Sequence, residues 1–392
     1  MPMQGSVLRP LPATQTAPAR PQAPAGTRVA LLAPLSGPNA ERGPALVQAA
    51  QLALDAPGAP PLDVIDTHGT AEGAAAAARQ AVAQGAGLIL GPLTAPETAA
   101  AAPIATEANI GMLAFTSDET QQRPGVWVMG LTPGQQVRRL VGAITAQGKT
   151  RFAALLPATD YGRAMEQALR GAAPGATIRA IEDTNIQSAN ATVRDLSDYA
   201  DRRGPIEAKL RAAIAKHSAD GRKEAAELRK SPIPPAPFDA LLLASTGDGL
   251  DTVASLLPYY DIDAPDVRVL GPALWANPAA RGTGNLTGAW YAAPDPAART
   301  AFDQSYTARY ATPAPGLADL AYDAASIARV VAADGGFGSD SLTRPGGFNG
   351  VDGVLGLQPD GHVRRGLALF EIQRGGPQMI EPAPDSLQAP GT

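Results

Sequence analysis

Five short segments carry the residues of this chain best suited to chemistry. They are Pro34 to Pro38 (PLSGP), Gly91 to Thr98 (GPLTAPET), Phe115 to Thr120 (FTSDET), Ala158 to Gly162 (ATDYG) and Ala244 to Gly249 (ASTGDG). Each follows an apolar, strand-like run and supplies small hydroxyls or exposed amides just before a helical pattern. Hydroxyls beside helix N-termini hold carboxylates and other polar head groups, because the first amides of a helix have no partner of their own. The same residue types also cap helices. For Ser36, Thr94, Thr116 and Thr246 both uses are open on sequence grounds. Tyr161 is an aromatic at a strand end, suited either to closing over a ligand or to packing on the surface.

Other chemistries find little support. No P-loop, HExxH or GxSxG pattern occurs, and GTGNLTG (Gly282 to Gly288) follows no clear strand and opens no clear helix, so a dinucleotide site is not expected there. His68, His217 and His362 have no second ligand at metal spacing and read as surface histidines. Asp160 and Asp183 are not paired as acid and base. With no cysteine, thiol catalysis, thiolate metal sites and disulfides are excluded. Neither catalysis, a metal nor a cofactor is expected.

The elements that position these loops alternate. Apolar strands at Val29–Ala33, Leu62–Thr67, Gly87–Pro92 and Ile110–Phe115 are separated by helices at Glu41–Asp55, Ala71–Gln84 and Ala95–Asn109. The pattern restarts with a helix over Gly134–Gln147 and strands at Arg151–Pro157, Ala176–Asp183, Phe238–Ser245 and Val267–Pro272. Helices over Arg163–Gly171 and Gly249–Leu257 follow two of these strands. Such alternation predicts parallel sheets covered on both faces, in two lobes. A strand at Ala289–Pro294 and helices over Pro296–Tyr310 and Leu317–Ala333 read as a return to lobe one. Alternation around Pro359-Asp360-Gly361 predicts an antiparallel hairpin.

Between two lobe-two strands lies a polar insertion holding four of the chain's five lysines. Lys209, Lys216, Lys223 and Lys230 recur every seven residues, which on one helix would line one side with slow drift. SPIPPAP (Ser231 to Pro237) ends it. It reads as a solvated helical hairpin, or as a docking surface for an acidic partner or membrane head groups through Lys209, Lys216 and Lys223.

The 392 residues suffice for two lobes, and a net charge of −5 argues against a nucleic-acid partner. No run of about 18 apolar residues is present to span a membrane. Residues 1–27 have the Pro/Ala-rich composition of a tether and lack the basic start and apolar block of a signal peptide. The alternatives are a cytoplasmic protein with a loose tail, or an exported one whose leader has been removed. Pro-rich tethers commonly follow a lipidated N-terminus, which favours the second.

VALLAPLSGP, then GLILGPLTAPETAAAAPIATEANIGMLAFTSDE, then FAALLPATDYGRAMEQAL resembles the type I periplasmic binding proteins, whose best-known members deliver leucine, isoleucine and valine to an ABC importer. The resemblance implies an α/β fold of two Rossmann-like lobes with parallel sheets, joined by three crossovers around a ligand. It implies that the loops of Leu93 and Thr94, and of Phe115, Thr116 and Ser117, grip the α-carboxylate and amine of an amino acid, with Tyr161 contacting it from lobe two. Where the family places an acidic residue, this chain has Gly271 to Trp275, so Trp275 is expected to fill part of the cleft. FDALLLASTGDGLDTVASLLPYYDIDAPDVRVLGPALWANP, GAWYAAPDPAARTAFDQSYTARY and FNGVDGVLGLQPDGHVRRGLALFEI are similar to the penicillin-binding protein activators, Lpo-type lipoproteins that stimulate peptidoglycan synthases. That branch implies a non-catalytic periplasmic lipoprotein with a synthase as partner. The broader family implies a solute receptor with an ABC permease.

The expected organisation is therefore a tether over 1–27 and the first part of lobe one over 28–131. Lobe two follows over 132–275, with its charged insertion at 201–237. Residues 276–345 return to lobe one, 346–382 form a C-terminal hairpin on lobe two, and 383–392 are a tail.

Overall fold

The computed structural model describes residues 26–181, 185–282 and 286–387. Most of the expected tether, Asp183, the middle of GTGNLTG and the last five residues lie outside them. Lobe one opens with β1 (Arg28–Ala33), α1 (Gly43–Leu54), β2 (Leu62–Asp66), α2 (Ala71–Ala83), β3 (Ala86–Leu90), α3 (Ala95–Glu107), β4 (Gly111–Ala114) and β5 (Val126–Val128). The strands pair in parallel in the order β2-β1-β3-β4-β5. Strands β1 and β3 to β5 are buried on both faces nearly throughout, which is why they read as continuous apolar runs.

Lobe two contains α4 (Pro133–Ala146), β6 (Phe152–Pro157), α5 (Asp160–Ala172), β7 (Thr177–Ile181), α6 (Ile186–Leu196), α7 (Tyr199–Ala215), α8 (Ala219–Leu228), β8 (Ala240–Leu243), α9 (Gly247–Leu256), β9 (Arg268–Gly271), α10 (Pro278–Arg281) and β10 (Trp290–Ala293). The chain then forms α11 (Pro296–Tyr310), α12 (Ala318–Ala333), α13 (Ser339–Leu342), β11 (Phe348–Gly350), β12 (Gly353–Leu357), β13 (Val363–Arg365), β14 (Ala368–Gln373) and β15 (Gly376–Glu381). Among the described residues the lobe-two sheet has seven strands in the order β15-β14-β10-β9-β8-β6-β7, with β14 and β15 antiparallel.

Several boundaries differ from the sequence expectation for physical reasons. Strand β10 pairs with β9 and β14, so the chain leaves lobe two after Ala293 and not near residue 276. The hairpin at Pro359-Asp360-Gly361 joins β12 to β13 within a separate three-stranded sheet. Leu355, Leu357 and Val363 of that sheet are buried in the lobe-one core with Phe348 and α12, and the Trp127 indole donates to the Gln358 carbonyl at 2.7 Å. The hairpin on lobe two is the next one, β14–β15. Helix α5 starts at Asp160 because Thr159 caps it, its hydroxyl accepting from the Gly162 amide at 3.1 Å. The lysine heptads do not share one helix, since the chain turns between α7 and α8 at His217, whose φ is +46°. Strand β5 and helix α6 have no counterpart among the sequence-derived elements.

The chain passes between lobes three times, through 129–132, 294–295 and 366–367. Two passages leave the carboxyl ends of β5 and β10, so the carboxyl edges of both parallel sheets flank the hinge. The strand-end loops of each lobe lie at these carboxyl edges, where open α/β sheets take ligands.

Candidate functional site

On lobe one the Pro34–Pro38 turn is tied to the end of β2. The Asp66 carboxylate accepts the Ser36 hydroxyl at 2.6 Å and the amides of Leu35 and His68 at 2.9 and 2.8 Å. Burial acts to raise the Asp66 pKa, but these donors and the nearby His68 outweigh it and hold the carboxyl down to about 2. His68 Nδ1 lies 2.7 Å from Ser36 Oγ and 3.1 Å from Asp66. These three residues do not form a nucleophilic triad. In a triad the imidazole stands between hydroxyl and carboxylate, one on each ring nitrogen. Here the serine donates directly to the carboxylate, and both crowd one nitrogen.

The second loop is committed to its own helix. Thr94 and Glu97 form a capping box on α3. Glu97 is buried and accepts the Thr67 hydroxyl at 2.5 Å, the Thr94 hydroxyl at 2.6 Å and the Thr94 amide at 3.0 Å. Leu93 and Phe115 are buried in the lobe-one core. Thr116 is also buried, and its hydroxyl accepts from the Asp118 amide at 3.1 Å, closing a local turn. Ser117 is exposed. In the same loop Glu119 reaches across the hinge: its carboxylate accepts the Thr132 hydroxyl and, at 3.0 Å, the Gly134 amide at the start of α4. An anionic oxygen at a helix N-terminus is favourable there, and it links lobe one to the first helix of lobe two. Sequence reasoning missed this contact because the partners lie on opposite sides of an unrecognised strand, β5.

On lobe two the Tyr161 phenol is largely enclosed and hydrogen-bonded to the Gln136 side chain, and burial pushes its pKa up to about 12. Gln136 also accepts the Ala273 amide at 2.7 Å. Trp275 is wholly buried in the lobe-two core, its indole donating to the Ser245 carbonyl at 3.1 Å. A Cβ on Gly271 would stand 2.2 Å from that ring, so glycine there makes room for the indole. Trp275 therefore fills the lobe and not the groove, which corrects the sequence expectation. Thr246 is exposed, and its side chain makes no cap bond to α9.

The sequence-derived residues thus divide into two groups. Ser36, Thr94 and Thr116 are engaged by lobe-one partners, while Leu93, Phe115 and Trp275 are core. Ser117 and Thr246 remain as exposed residues at strand ends of the two lobes, with Tyr161 largely enclosed. Lys209, Lys216 and Lys223 are exposed on the insertion. Among the described residues no cluster of His, Asp or Glu is arranged to hold a metal ion, and no helix is long and apolar enough to cross a membrane.

The sequence profile of a family described as "Periplasmic binding protein" matches residues 26–377. Comparison with curated protein sequences gave no match. Solved structures share the fold. A putative branched-chain amino acid ABC transporter protein from Rhodospirillum rubrum is 19% identical, with 90% of this chain and 100% of that one covered and a TM-score of 0.67. The C-domain of LpoA from Haemophilus influenzae, described as a regulator of PBP1A, is 15% identical over 90% and 99% of the two chains, with a TM-score of 0.61. A periplasmic ligand-binding protein of a branched-chain amino acid ABC transporter from Burkholderia xenovorans is 17% identical over 92% and 96%, with a TM-score of 0.61.

Proposed function

This chain belongs to the periplasmic binding protein family, of the type I two-lobed fold, and we propose that within it the protein is a non-catalytic periplasmic activator of a peptidoglycan-synthesising penicillin-binding protein. The carrying observation is the engagement of the lobe-one lip. The Thr94 hydroxyl donates to Glu97 and the Ser36 hydroxyl to Asp66, while buried Thr116 accepts from the Asp118 amide. A solute carboxylate needs hydroxyls and amides whose donors are available on arrival, since each donor withdrawn from an internal partner leaves a buried acceptor unsatisfied. A lip with two of its three hydroxyl donors committed from within suits contact with another protein surface better than capture of a small polar molecule. The likeness in fold to a regulator of PBP1A is in keeping with this reading. The Ser36–Asp66–His68 geometry supports a non-catalytic role. A lipid anchor preceding the Pro/Ala-rich segment would hold such an activator at a membrane.

A second reading, a solute receptor for an ABC permease taking an amino acid or similar ligand, is favoured by Thr246, whose side chain makes no cap bond at the start of α9, and by exposed Ser117 on the other lobe. Ligand binding stabilises the native state by mass action. A thermal-shift screen of amino acids, run beside a binding assay with a purified penicillin-binding protein, separates the two. The activator reading expects a silent screen and a stable complex. A shift with one amino acid, abolished by Thr246→Ala or Tyr161→Ala, would replace it with the receptor reading.

A further inference from the structure

The α7–α8 hairpin is basic on an otherwise acidic protein. Between residues 199 and 230 there are nine Lys or Arg against five Asp or Glu, a net of +4 in a chain whose total is −5. Its root is fixed. The buried guanidinium of Arg202 donates to the carbonyls of Ser197, Pro234 and Tyr260 at 2.8, 2.9 and 2.7 Å, and Tyr199 stacks edge-on against Tyr260 at 5.0 Å. Beyond the root the hairpin is mostly surface, with only Ala213, Gly221 and Ala225 buried. Two cations are neutralised within it, in the ion pairs Arg203–Glu207 and Lys216–Glu224. Lys209, Arg211, Arg222, Lys223, Arg229 and Lys230 are exposed and make no ion pair with the described residues.

We infer that this hairpin is a binding site for the anionic head groups of a phospholipid surface. The net charge and the lack of packed anchors decide the class of partner. Four of the chain's five lysines are here, and the six cations without an ion pair are three lysines and three arginines, all exposed and none packed in an apolar core. Lysine is depleted in protein–protein interfaces, whose anchors are aromatic, Met and Arg residues packed in a dehydrated core. Beyond its root this hairpin has no aromatic side chain and one exposed large apolar residue, Ile214. Strongly hydrated point charges on flexible stems suit diffuse attraction to a charged sheet, which needs no shape complementarity. Local sign also matters, because a net-negative protein is repelled by an anionic bilayer unless a cationic element extends toward it. The rigid root and open tip provide that element.

The test uses the whole protein and sedimentation with large vesicles. One set is phosphatidylcholine alone; the other contains about 30 mol% phosphatidylglycerol, a charge density at which each surface cation contributes about five-fold to partitioning. The site predicts binding to the anionic vesicles only, weakened at least ten-fold when salt rises from about 0.05 M to about 0.5 M and screening shortens. The variant Lys209→Gln/Arg211→Gln/Arg222→Gln/Lys223→Gln should keep its circular dichroism and melting temperature and lose about 100-fold or more in partitioning. Equal partitioning of variant and wild type, equal binding to both vesicle types, or no binding to either would each overturn the inference. A hairpin that instead docks on an acidic protein would show no vesicle binding, and would count against it in the same way. No synthase is present, so the outcome is independent of the proposed activator role.

Discussion

The indole N–H of Trp275 donates to the Ser245 carbonyl at 3.1 Å across the interior of lobe two, joining the loop after β9 to the loop after β8. The ring is fully enclosed, and Gly271 beneath it cannot carry a side chain without meeting it. Trp275→Ala therefore removes a large buried ring and orphans a carbonyl, and should cost about 3–5 kcal/mol of unfolding free energy. Urea denaturation checks this. A groove-lining tryptophan would instead lose little stability on replacement.

Thr94→Ala tests the lobe-one lip. Loss of the cap and of one donor to buried Glu97 should lower stability by about 1–2 kcal/mol, while Ser117→Ala, at an exposed position, should change it by less than about 0.5 kcal/mol. Equal effects from the two would show that Thr94 is not the structural member of the pair.

Much of this was legible in the sequence, and what was not has a common cause. Buried strands such as β1, β3 and β6 announce themselves because parallel strands covered on both faces are apolar throughout. Strand β5 has three residues and little pattern to read. The hairpin of β12 and β13 was recognisable from Pro359-Asp360-Gly361, but its neighbour in space was not, since turn chemistry fixes a hairpin and says nothing about the core it joins. The candidate site was readable as residue types and not as partners. Thr94 and Ser36 looked the same as Thr246 until Glu97 and Asp66 were seen to bind the first two and no cap bond formed at the third.

Arg202 anchors the inserted hairpin. Arg202→Ala leaves three carbonyls without their charged donor, and should destabilise lobe two by at least about 2 kcal/mol. Amide exchange should quicken through 199–230 before it does in the β6–β8 sheet. Uniform exchange across lobe two would contradict a local root.

Buried carboxyls near the hinge predict an unusual pH dependence. Burial, with further contributions from nearby Asp319, raises Asp323 to about 6 and Asp352 to about 7, against an ordinary value of 3.8. Arg365, close to Asp352 and donating to the Met129 carbonyl at 2.9 Å, only partly offsets this. Between these values the folded protein holds protons that the unfolded chain has released. The contribution of these groups is therefore fully present below pH 3.8 and is lost as pH rises through about 6 to 7. Asp66, depressed to about 2, has the opposite sign and loses its contribution only as pH falls from 3.8 through 2. Denaturation from pH 4 to 8 should show stability falling as pH rises from about 4 toward 7 and levelling above that, with a flatter profile in Asp352→Asn.

The central claim is that the two lobes serve a protein partner and not a solute. It is tested most directly by the rate at which a purified class A penicillin-binding protein polymerises its lipid-linked precursor, with and without this protein at equimolar concentration. The activator account predicts a faster rate that millimolar amino acids do not alter. An unchanged rate, for a protein whose melting temperature rises with one of those amino acids, would contradict it.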